Sequence, residues 1–97
     1  MTNTAYIFDA VRTPRSKGKK DGSLHSVKPI DLGAGLLREL RKRHDLDTTY
    51  VDDVIMGCVT TVGEQGSDIA KMIVMNADWD ESVPGFKLDR FCASGLE

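Results

Sequence analysis

Three stretches of the chain carry apolar residues in the pattern of β-strands. Residues 5–11 (AYIFDAV) are rich in β-branched and aromatic side chains and lie just before a Thr-Pro pair. Residues 54–59 (VIMGCV) form a short apolar run, which is typical of a strand covered on both faces. Residues 86–91 (FKLDRF) alternate with the period of two that a strand requires. The pattern therefore predicts strands at the beginning, in the middle and at the end of the chain.

Between these strands, the spacing of apolar residues predicts two amphipathic helices. Residues 29–44 (PIDLGAGLLRELRKRH) begin with a proline and an aspartate and end with four basic residues, which suits both ends of a helix. A second helix is predicted over residues 69–77, with Ser67 or Asp68 as its cap. The residues expected to face inward are Gly33, Leu36, Leu37 and Leu40 in the first helix and Ile69, Met72, Ile73 and Ala77 in the second. The methionines of the second helix are interpreted as core residues.

Strands and helices thus alternate along the chain, and this order is typical of a layered α/β fold. Polar segments that contain glycine separate the elements. Residues 12–22 (RTPRSKGKKDG) carry five basic residues and are interpreted as a solvated loop, with a phosphate contact as the alternative. Residues 60–68 form a second loop. A third, at 78–85, contains Trp79, which we expect to cover the core rather than to contact a partner.

Composition and charge narrow the class of protein. A chain of 97 residues is long enough for one small domain. Its content of 40% hydrophobic and 29% charged residues is that of an ordinary globular protein rather than a disordered one. The formal net charge of −2 predicts no partner among nucleic acids or anionic membranes. No signal peptide or membrane span is recognisable, so the sequence predicts a cytoplasmic location.

The cysteines and histidines offer few candidates for a site. Cys58, Cys92, His25 and His44 have no spacing that resembles a zinc site, so no metal is predicted, and a disulfide is not expected in a reducing compartment. Cys58 lies in the apolar run at 54–59 and is interpreted as a buried, unreactive thiol. His44 falls in the last turn of the first helix, where the helix dipole explains it without catalysis.

Cys92 is the candidate nucleophile. It lies between the last predicted strand and residues 93–97, which suit the start of a helix. Unpaired N–H groups and the positive end of a helix dipole stabilise a thiolate at such a junction. The small residues Ala93, Ser94 and Gly95 also let a ligand carbonyl approach the backbone, whose N–H groups can stabilise an oxyanion.

The same residues begin a competing pattern. Cys92-Ala93-Ser94-Gly95 resembles the start of the phosphate-binding loop C-x-x-G-x-x-R of cysteine-dependent phosphatases. The arginine of that loop would fall at position 98, beyond the sequence. Phe91 stands where those enzymes commonly carry histidine, which counts against this interpretation.

Four separated motifs resemble a different family. They are AVRTP at 10–14, DLGAGLL at 31–37, VIMGCV followed by VGEQGSDIAK up to residue 71, and RFCASGLE at 90–97. In this order they resemble the amino-terminal part of the thiolases, the acetyl-CoA C-acyltransferases. The resemblance implies an incomplete amino-terminal domain over residues 1–97 that ends just after the nucleophilic cysteine. It also implies a layered α-β-α-β-α fold with a mixed sheet and flanking helices.

The resemblance further implies acyl transfer to or from coenzyme A. Cys92 would hold the acyl group as a thioester, and its backbone N–H would be an oxyanion donor. Coenzyme A and acyl-CoA would be substrates, with no permanently bound cofactor. In thiolases a second cysteine and a histidine complete the site from the carboxy-terminal half, and Cys58, His25 and His44 match neither. The chain alone is therefore expected to be inactive.

Partners and alternatives follow from the same resemblance. The loop VGEQGSDIAK approaches a partner subunit in the family, so a homo-oligomer, either dimer or tetramer, is implied together with the remainder of the thiolase chain. Asp89 departs from the asparagine that many thiolases carry, and its carboxylate would oppose thiolate formation if it faced Cys92. The alternatives are a condensing enzyme of the ketoacyl-synthase type and a non-catalytic structural or interaction module.

Overall fold

The fold contains one parallel β-α-β unit with a long helix packed against it. The computed structural model describes residues 3–97, which form helix α1 (Pro29–His44), strand β1 (Val54–Gly57), helix α2 (Ile69–Asn76) and strand β2 (Gly85–Leu88). Single turns of 3₁₀-helix occur at Thr48–Tyr50, Gly63–Gln65 and Ser94–Leu96. The two strands pair in parallel, from Val54 opposite Gly85 to Gly57 opposite Leu88. The α/β class that the sequence predicts is therefore present.

A small apolar core joins the two helices to one face of the sheet. Its buried residues are Ala34, Leu37, Ile69, Ile73, Val74, Ala77, Trp79 and Val83. Partly buried Val54 and Met56 of β1 pack against this cluster. Trp79 is 7% exposed, so its predicted place over the core, rather than at a partner contact, is confirmed.

Both predicted helices form, and their ends follow the expected chemistry. Helix α1 has the predicted bounds and ends at Asp45, which adopts a left-handed conformation with φ of 45°. Helix α2 is capped by Asp68, whose carboxylate accepts the Lys71 N–H at 3.2 Å. Within residues 3–97, neither helix combines the length and apolar character needed to cross a bilayer.

The inward face of α2 differs from the prediction only at its methionines, since Ile69, Ile73 and Ala77 are buried as predicted. Met72 is 52% exposed and Met75 is 61% exposed, so neither methionine is a core residue in this structure. The buried positions include Ala70 and Val74 instead. The apolar residues of α2 surround most of the helix, and the orientation is decided by where α1 and the sheet contact it, which a local pattern does not encode.

The predicted first strand is wrong for the described residues. Residues 5–11 form no ladder, and Tyr6, Ile7 and Phe8 are 75%, 93% and 88% exposed. A strand needs the edge of a neighbouring strand for its N–H and C=O groups, and residues 5–11 pair with neither outer edge of the β1–β2 sheet. Strand propensity in this segment is therefore not matched by a partner within residues 3–97.

The sheet is covered on one face only, which also differs from the prediction for β1. Ile55 and Phe86, opposite each other in the two strands, are 57% and 54% exposed. The helices lie on the other face, so the prediction that β1 is covered on both sides is wrong for the described chain. A mixed sheet would need an antiparallel strand, and residues 3–97 form none.

A cluster of charged groups fastens the amino-terminal segment to α1. Asp9 Oδ2 lies 2.8 Å from His44 Nε2, and both Asp9 oxygens lie 3.3 Å from Arg43 NH1. The hydrogen bond with His44 lowers the pKa of the Asp9 carboxyl, and the Ala10 N–H and Arg43 act in the same direction. The basic last turn of α1 thus holds a carboxylate, in addition to complementing the helix dipole.

We expect this cluster to make stability depend on acid pH. Because the pKa of Asp9 is lowered in the folded chain, its stabilising effect is present above the ordinary aspartate range and is lost as the pH falls through the lowered value. Asp9→Asn should therefore lower the free energy of unfolding at pH 6, and should lower it by less at a pH well below the ordinary aspartate range. Urea unfolding of both proteins across this range measures the difference. An equal effect of the substitution at both pH values would contradict the assignment.

Lys71 holds the loop that leads into β2. Its ammonium group donates to the carbonyl oxygen of Glu81 at 2.8 Å and to that of Val83 at 2.6 Å. The side chain is half-buried, so these carbonyl groups are only partly accessible to water. Helix α2 therefore fixes the start of the strand that ends near Cys92.

Lys71→Met is expected to lower the free energy of unfolding by about 1–3 kcal/mol, because two carbonyl groups lose a charged donor. Urea unfolding at neutral pH measures the loss. Lys17→Met is the matched control, since the Lys17–Asp21 ion pair has side chains that are 70% and 68% exposed. Such surface pairs contribute about 0–1 kcal/mol. Similar losses in the two variants would argue against a structural role for the Lys71 contacts.

Candidate active site

The candidate site lies at the carboxyl edge of the two-stranded sheet. Cys58 directly follows β1, and Cys92 lies four residues after the end of β2. Because the strands are parallel, both segments leave the sheet at the same edge. The Cys58 N–H donates to the Leu88 carbonyl oxygen at 2.9 Å, which continues the ladder to the point where the last segment turns away.

Cys92 lies in a tight turn that runs from Arg90 to Ser94. The Ala93 N–H donates to the Arg90 carbonyl at 3.1 Å, and the Ser94 N–H donates to the Phe91 carbonyl at 3.1 Å. Phe91 has a φ of 51°, a left-handed conformation that is unfavourable for an aromatic residue. The turn therefore reverses the chain within a few residues and leaves the cysteine side chain exposed to solvent.

Two side chains stabilise this turn. The Ser94 hydroxyl accepts the Arg90 N–H at 2.8 Å and donates to the Phe91 carbonyl at 2.7 Å. Asp89 Oδ1 accepts the Phe91 N–H at 2.8 Å. The Cys92 N–H, by contrast, has no acceptor among the hydrogen bonds of residues 3–97. It is therefore available to an oxygen atom of a ligand.

The predicted helix start after Cys92 is a single 3₁₀ turn, Ser94–Leu96. A single turn aligns few peptide dipoles, so the helix-dipole argument for the thiolate is weaker than the sequence pattern indicated. Among the described residues, the N–H group of Cys92 itself is the local donor that favours negative charge at this position. Cys92 nevertheless lies between a strand and a turn, as the sequence pattern predicts.

Gly57 brings the end of β1 against the turn. A methyl group at Gly57 would overlap the carbonyl group of Ser94 and would lie 2.9 Å from the Gly95 nitrogen. Only glycine allows the two backbones to approach so closely. The end of β1 therefore supports the Cys92 turn through direct backbone contact.

Cys58 is placed differently from the prediction. It follows the last residue of β1 and is half-buried rather than buried. Its thiol donates to the Thr60 carbonyl at 3.5 Å, and the Gln65 carbonyl lies 4.0 Å away. The thiol is thus engaged by the loop that follows β1, and it packs partly against the core. These contacts agree with a structural role and not with the role of a second active-site cysteine.

The charged and aromatic neighbours of Cys92 lie mainly on the surface. Asp89 uses one carboxylate oxygen to bind the Phe91 N–H, which an asparagine side-chain oxygen could do equally well. Arg90 Nε pairs with Glu97 Oε2 at 3.3 Å. Phe91 is 79% exposed. The departure at Asp89 therefore keeps the turn and changes only the charge beside it.

The remaining candidates stand apart from the Cys92 turn. His25 is exposed and lies three residues after the basic loop at 12–22, whose residues form no helix or strand, as predicted. His44 contacts Asp9 at the end of α1. The sequence pattern presents Ser94 only as a small residue and does not predict its hydrogen bonds. A serine two positions after a cysteine and next to glycine was the available signal, because serine often bonds backbone groups in turns.

The family model described as thiolase, N-terminal domain, matches residues 5–97, which includes the turn and Cys92. The chain belongs to the thiolase family. The match covers almost the whole sequence, and it replaces the phosphatase and ketoacyl-synthase interpretations of the same cysteine. It also explains why the four motifs occur in one order along the chain.

Several curated thiolases are similar to this chain over nearly all of its length. A steroid 3-ketoacyl-CoA thiolase of Mycobacterium tuberculosis (FadA6) is 47% identical over 93 residues, which is 96% of this chain and 22% of the relative. A beta-ketoadipyl-CoA thiolase of Pseudomonas aeruginosa is 41% identical over 98 residues, 100% of this chain and 24% of the relative. A 3-ketoacyl-CoA thiolase of Bacillus subtilis is 42% identical over 93 residues, 96% of this chain and 24% of the relative.

A solved thiolase-type structure supports the fold. The acetyl-CoA acetyltransferase of Bacillus anthracis superposes with a TM-score of 0.69 and 29% identity, covering 77% of this chain and 19% of that chain. The chain spans 22–24% of the length of the curated thiolases named above. The thiolase fold assigned from the sequence motifs is thereby confirmed for the part that the chain contains.

Proposed function

We propose that Cys92 is the nucleophile of a thiolase and that the chain takes part in acyl transfer to or from coenzyme A. One observation carries the proposal: an exposed cysteine stands on the turn after β2, in a chain that matches the thiolase amino-terminal domain over residues 5–97. The names of the relatives, which are 3-ketoacyl-CoA and beta-ketoadipyl-CoA thiolases, support acyl-CoA thioesters as the substrate class.

The proposed reaction has two half-reactions. The Cys92 thiolate attacks the carbonyl carbon of an acyl-CoA, the bond from that carbon to the CoA sulfur breaks, and CoA leaves as a thiolate that takes up a proton. With a 3-ketoacyl-CoA, attack at the 3-keto carbon breaks the adjacent carbon–carbon bond, and acetyl-CoA leaves after protonation. A CoA thiolate or the acetyl-CoA carbanion then attacks the acyl-cysteine thioester and releases Cys92. Covalent catalysis thus divides one difficult step into two easier ones.

The Cys92 N–H is proposed as one oxyanion donor. Attack on a carbonyl places negative charge on its oxygen, and a backbone N–H without another acceptor stabilises that charge. The hydrogen bonds of the turn leave this N–H available. Exposure of the thiol on the same residue lets one carbonyl group contact both.

The other groups of the site are proposed to lie outside the chain. Thiolysis and condensation need an acid and a base. The Cys58 thiol lies at the same edge of the sheet but bonds to the loop after β1, His44 contacts Asp9, and His25 is exposed before α1. We therefore propose that residues 1–97 are an incomplete amino-terminal domain and are inactive alone. Coenzyme A and acyl-CoA are substrates in this proposal, with no permanently bound cofactor. A cytoplasmic homo-oligomer is the proposed working form, with the segment at 62–71 (VGEQGSDIAK) near the partner subunit.

A hybrid protein tests the proposal. Its amino-terminal part is this 97-residue chain, and the rest is the 3-ketoacyl-CoA thiolase of B. subtilis, joined where the matched segment of that relative ends. We expect this hybrid thiolase to cleave acetoacetyl-CoA with CoA and to carry an acetyl thioester on the peptide that contains Cys92. Rapid acid quenching followed by peptide mass spectrometry detects the thioester. The isolated chain should show no turnover.

The unsubstituted B. subtilis enzyme is the control for assembly and assay. A hybrid with the same circular dichroism and the same oligomeric mass, but with no acetyl group at Cys92, would refute the nucleophile assignment and would favour a structural or interaction module. Turnover by the isolated chain would refute the claim that it is an incomplete domain.

A further inference from the structure

Ser94 has a buried hydroxyl whose position is not explained by packing alone. The residue is 6% exposed, and its hydroxyl both accepts the Arg90 N–H and donates to the Phe91 carbonyl. A hydroxyl buried at this depth needs such partners, because burying it without them is costly. The two partners lie on one side of Cys92 in the chain, and Ser94 lies on the other side. The hydroxyl therefore closes a ring of backbone around the nucleophile.

The turn that the hydroxyl closes is strained. Phe91 adopts a φ of 51°, in the left-handed region that aromatic residues rarely occupy. Such conformations persist only where surrounding contacts hold them. Three contacts hold Phe91 here: the Ser94 hydroxyl and the Ser94 N–H donate to its carbonyl at 2.7 and 3.1 Å, and the Asp89 carboxylate accepts its N–H at 2.8 Å. Of the two donors to the carbonyl, the hydroxyl makes the shorter contact.

Ser94 is itself fixed to the sheet. Its carbonyl group lies against Gly57 at the end of β1, in the close contact that excludes a larger residue there. The hydroxyl thus connects a fixed point, the backbone of residue 94, to the strained residue that precedes the cysteine. Loss of the hydroxyl would leave the Arg90 N–H without its acceptor and would let Phe91 relax toward a negative φ. The Cys92 thiol and N–H would then move together.

We propose that Ser94 is a positioning residue for Cys92, whose hydroxyl keeps the strained turn in the conformation that directs the thiol and the Cys92 N–H at the same carbonyl group. The inference rests on the proposed function, since it concerns the geometry of acyl-thioester formation. Asp89 assists from the opposite end of the turn by holding the Phe91 N–H.

The first test does not depend on catalysis. In the 97-residue chain, Ser94→Ala should increase the hydrogen-exchange rate of the Arg90 N–H at least about tenfold, because that group loses its acceptor. Amide groups in the middle of α1 serve as the control for global unfolding and should be unchanged. Exchange of the Arg90 N–H at the parental rate would overturn the assignment of Ser94, whatever the outcome for the proposed function.

The second test uses the hybrid thiolase. Ser94→Ala should slow acylation of Cys92 by acetoacetyl-CoA about tenfold or more, with KM for acetoacetyl-CoA unchanged, because alignment is lost while binding is retained. Alkylation of Cys58 by iodoacetamide should also be unchanged, which reports that the end of β1 remains folded. Phe91→Gly added to Ser94→Ala should restore part of the acylation rate, because glycine adopts a positive φ without strain.

The outcomes separate the two proposals. Absence of a Cys92 thioester in the unsubstituted hybrid would refute the proposed function, and the exchange experiment would still decide the role of Ser94 in the turn. Parental acylation rates in the Ser94→Ala hybrid would overturn the positioning role. If the Ser94→Ala hybrid does not fold, the variant that combines Ser94→Ala with Phe91→Gly decides the question. The proposal requires this double variant to fold and to form the acyl thioester at Cys92. Failure to do either would overturn the proposal.

Discussion

Replacing Cys92 with serine in the hybrid thiolase is expected to lower the rate of acyl transfer at least about 10³-fold. The reason is chemical rather than structural. A serine hydroxyl has nearly the same shape, but it is not ionised near neutral pH, and no base within the described residues stands beside it to remove its proton. Thiolysis of acetoacetyl-CoA, followed by the loss of its absorbance, measures the change.

Cys58→Ser is the matched control for this experiment. The Cys58 thiol donates to the Thr60 carbonyl at 3.5 Å, and a serine hydroxyl can donate to the same group. We therefore expect activity within about threefold of the unsubstituted hybrid, because the substitution keeps the size of the side chain and its hydrogen bond. Equal losses in the two variants would mean that the cysteines share a structural role. Full activity after Cys92→Ser would remove Cys92 from the mechanism.

Gly57→Ala is expected to destabilise the chain and to displace the Cys92 turn. The added methyl group would overlap the Ser94 carbonyl, and both groups belong to backbone that is held by the sheet and the turn. Overpacking of this kind costs about 1–3 kcal/mol of stability. Relief of the overlap would also push the turn away from β1. We therefore expect slower acylation of Cys92 in the hybrid thiolase, together with a lower urea midpoint of the 97-residue chain.

Gly35→Ala provides the comparison for Gly57→Ala. A methyl group at Gly35 would meet no atom within 4 Å, and the residue lies inside helix α1. Alanine in a helix interior is favoured over glycine by about 0.5–1 kcal/mol, so this variant should be slightly more stable. An equal loss of stability at both positions would show that the contact between Gly57 and Ser94 is not what destabilises the chain.

The helices and the position of Cys92 after a strand could be predicted from the sequence because their signals are local. Proline at the start of α1, basic residues at its end and a regular apolar stripe determine its bounds without reference to the rest of the chain. Asp68 caps α2 through a contact three residues away. Cys92 was recognised from the order of a strand, a cysteine and small residues, and its exposed position in a turn agrees with that pattern.

The predictions that failed depend on contacts between distant segments. Strand propensity at residues 5–11 says nothing about which backbone is free to pair with it, and β1 and β2 pair with each other. The exposure of Met72 and of Ile55 depends on which faces the helices cover. Apolar character shows that a face can be buried, whereas burial itself requires a partner.

The sequence by itself determined the helices, the parallel order of β1, α2 and β2, membership of the thiolase family and the place of Cys92 between strand and turn. These properties depend on residue identity at short range or on motifs in a fixed order. Only the tertiary structure decided that Gly57 lies against Ser94, that Ser94 joins Arg90 to Phe91, and that the Cys92 N–H has no acceptor among residues 3–97. These details depend on distances between backbone groups, which the order of residues does not specify.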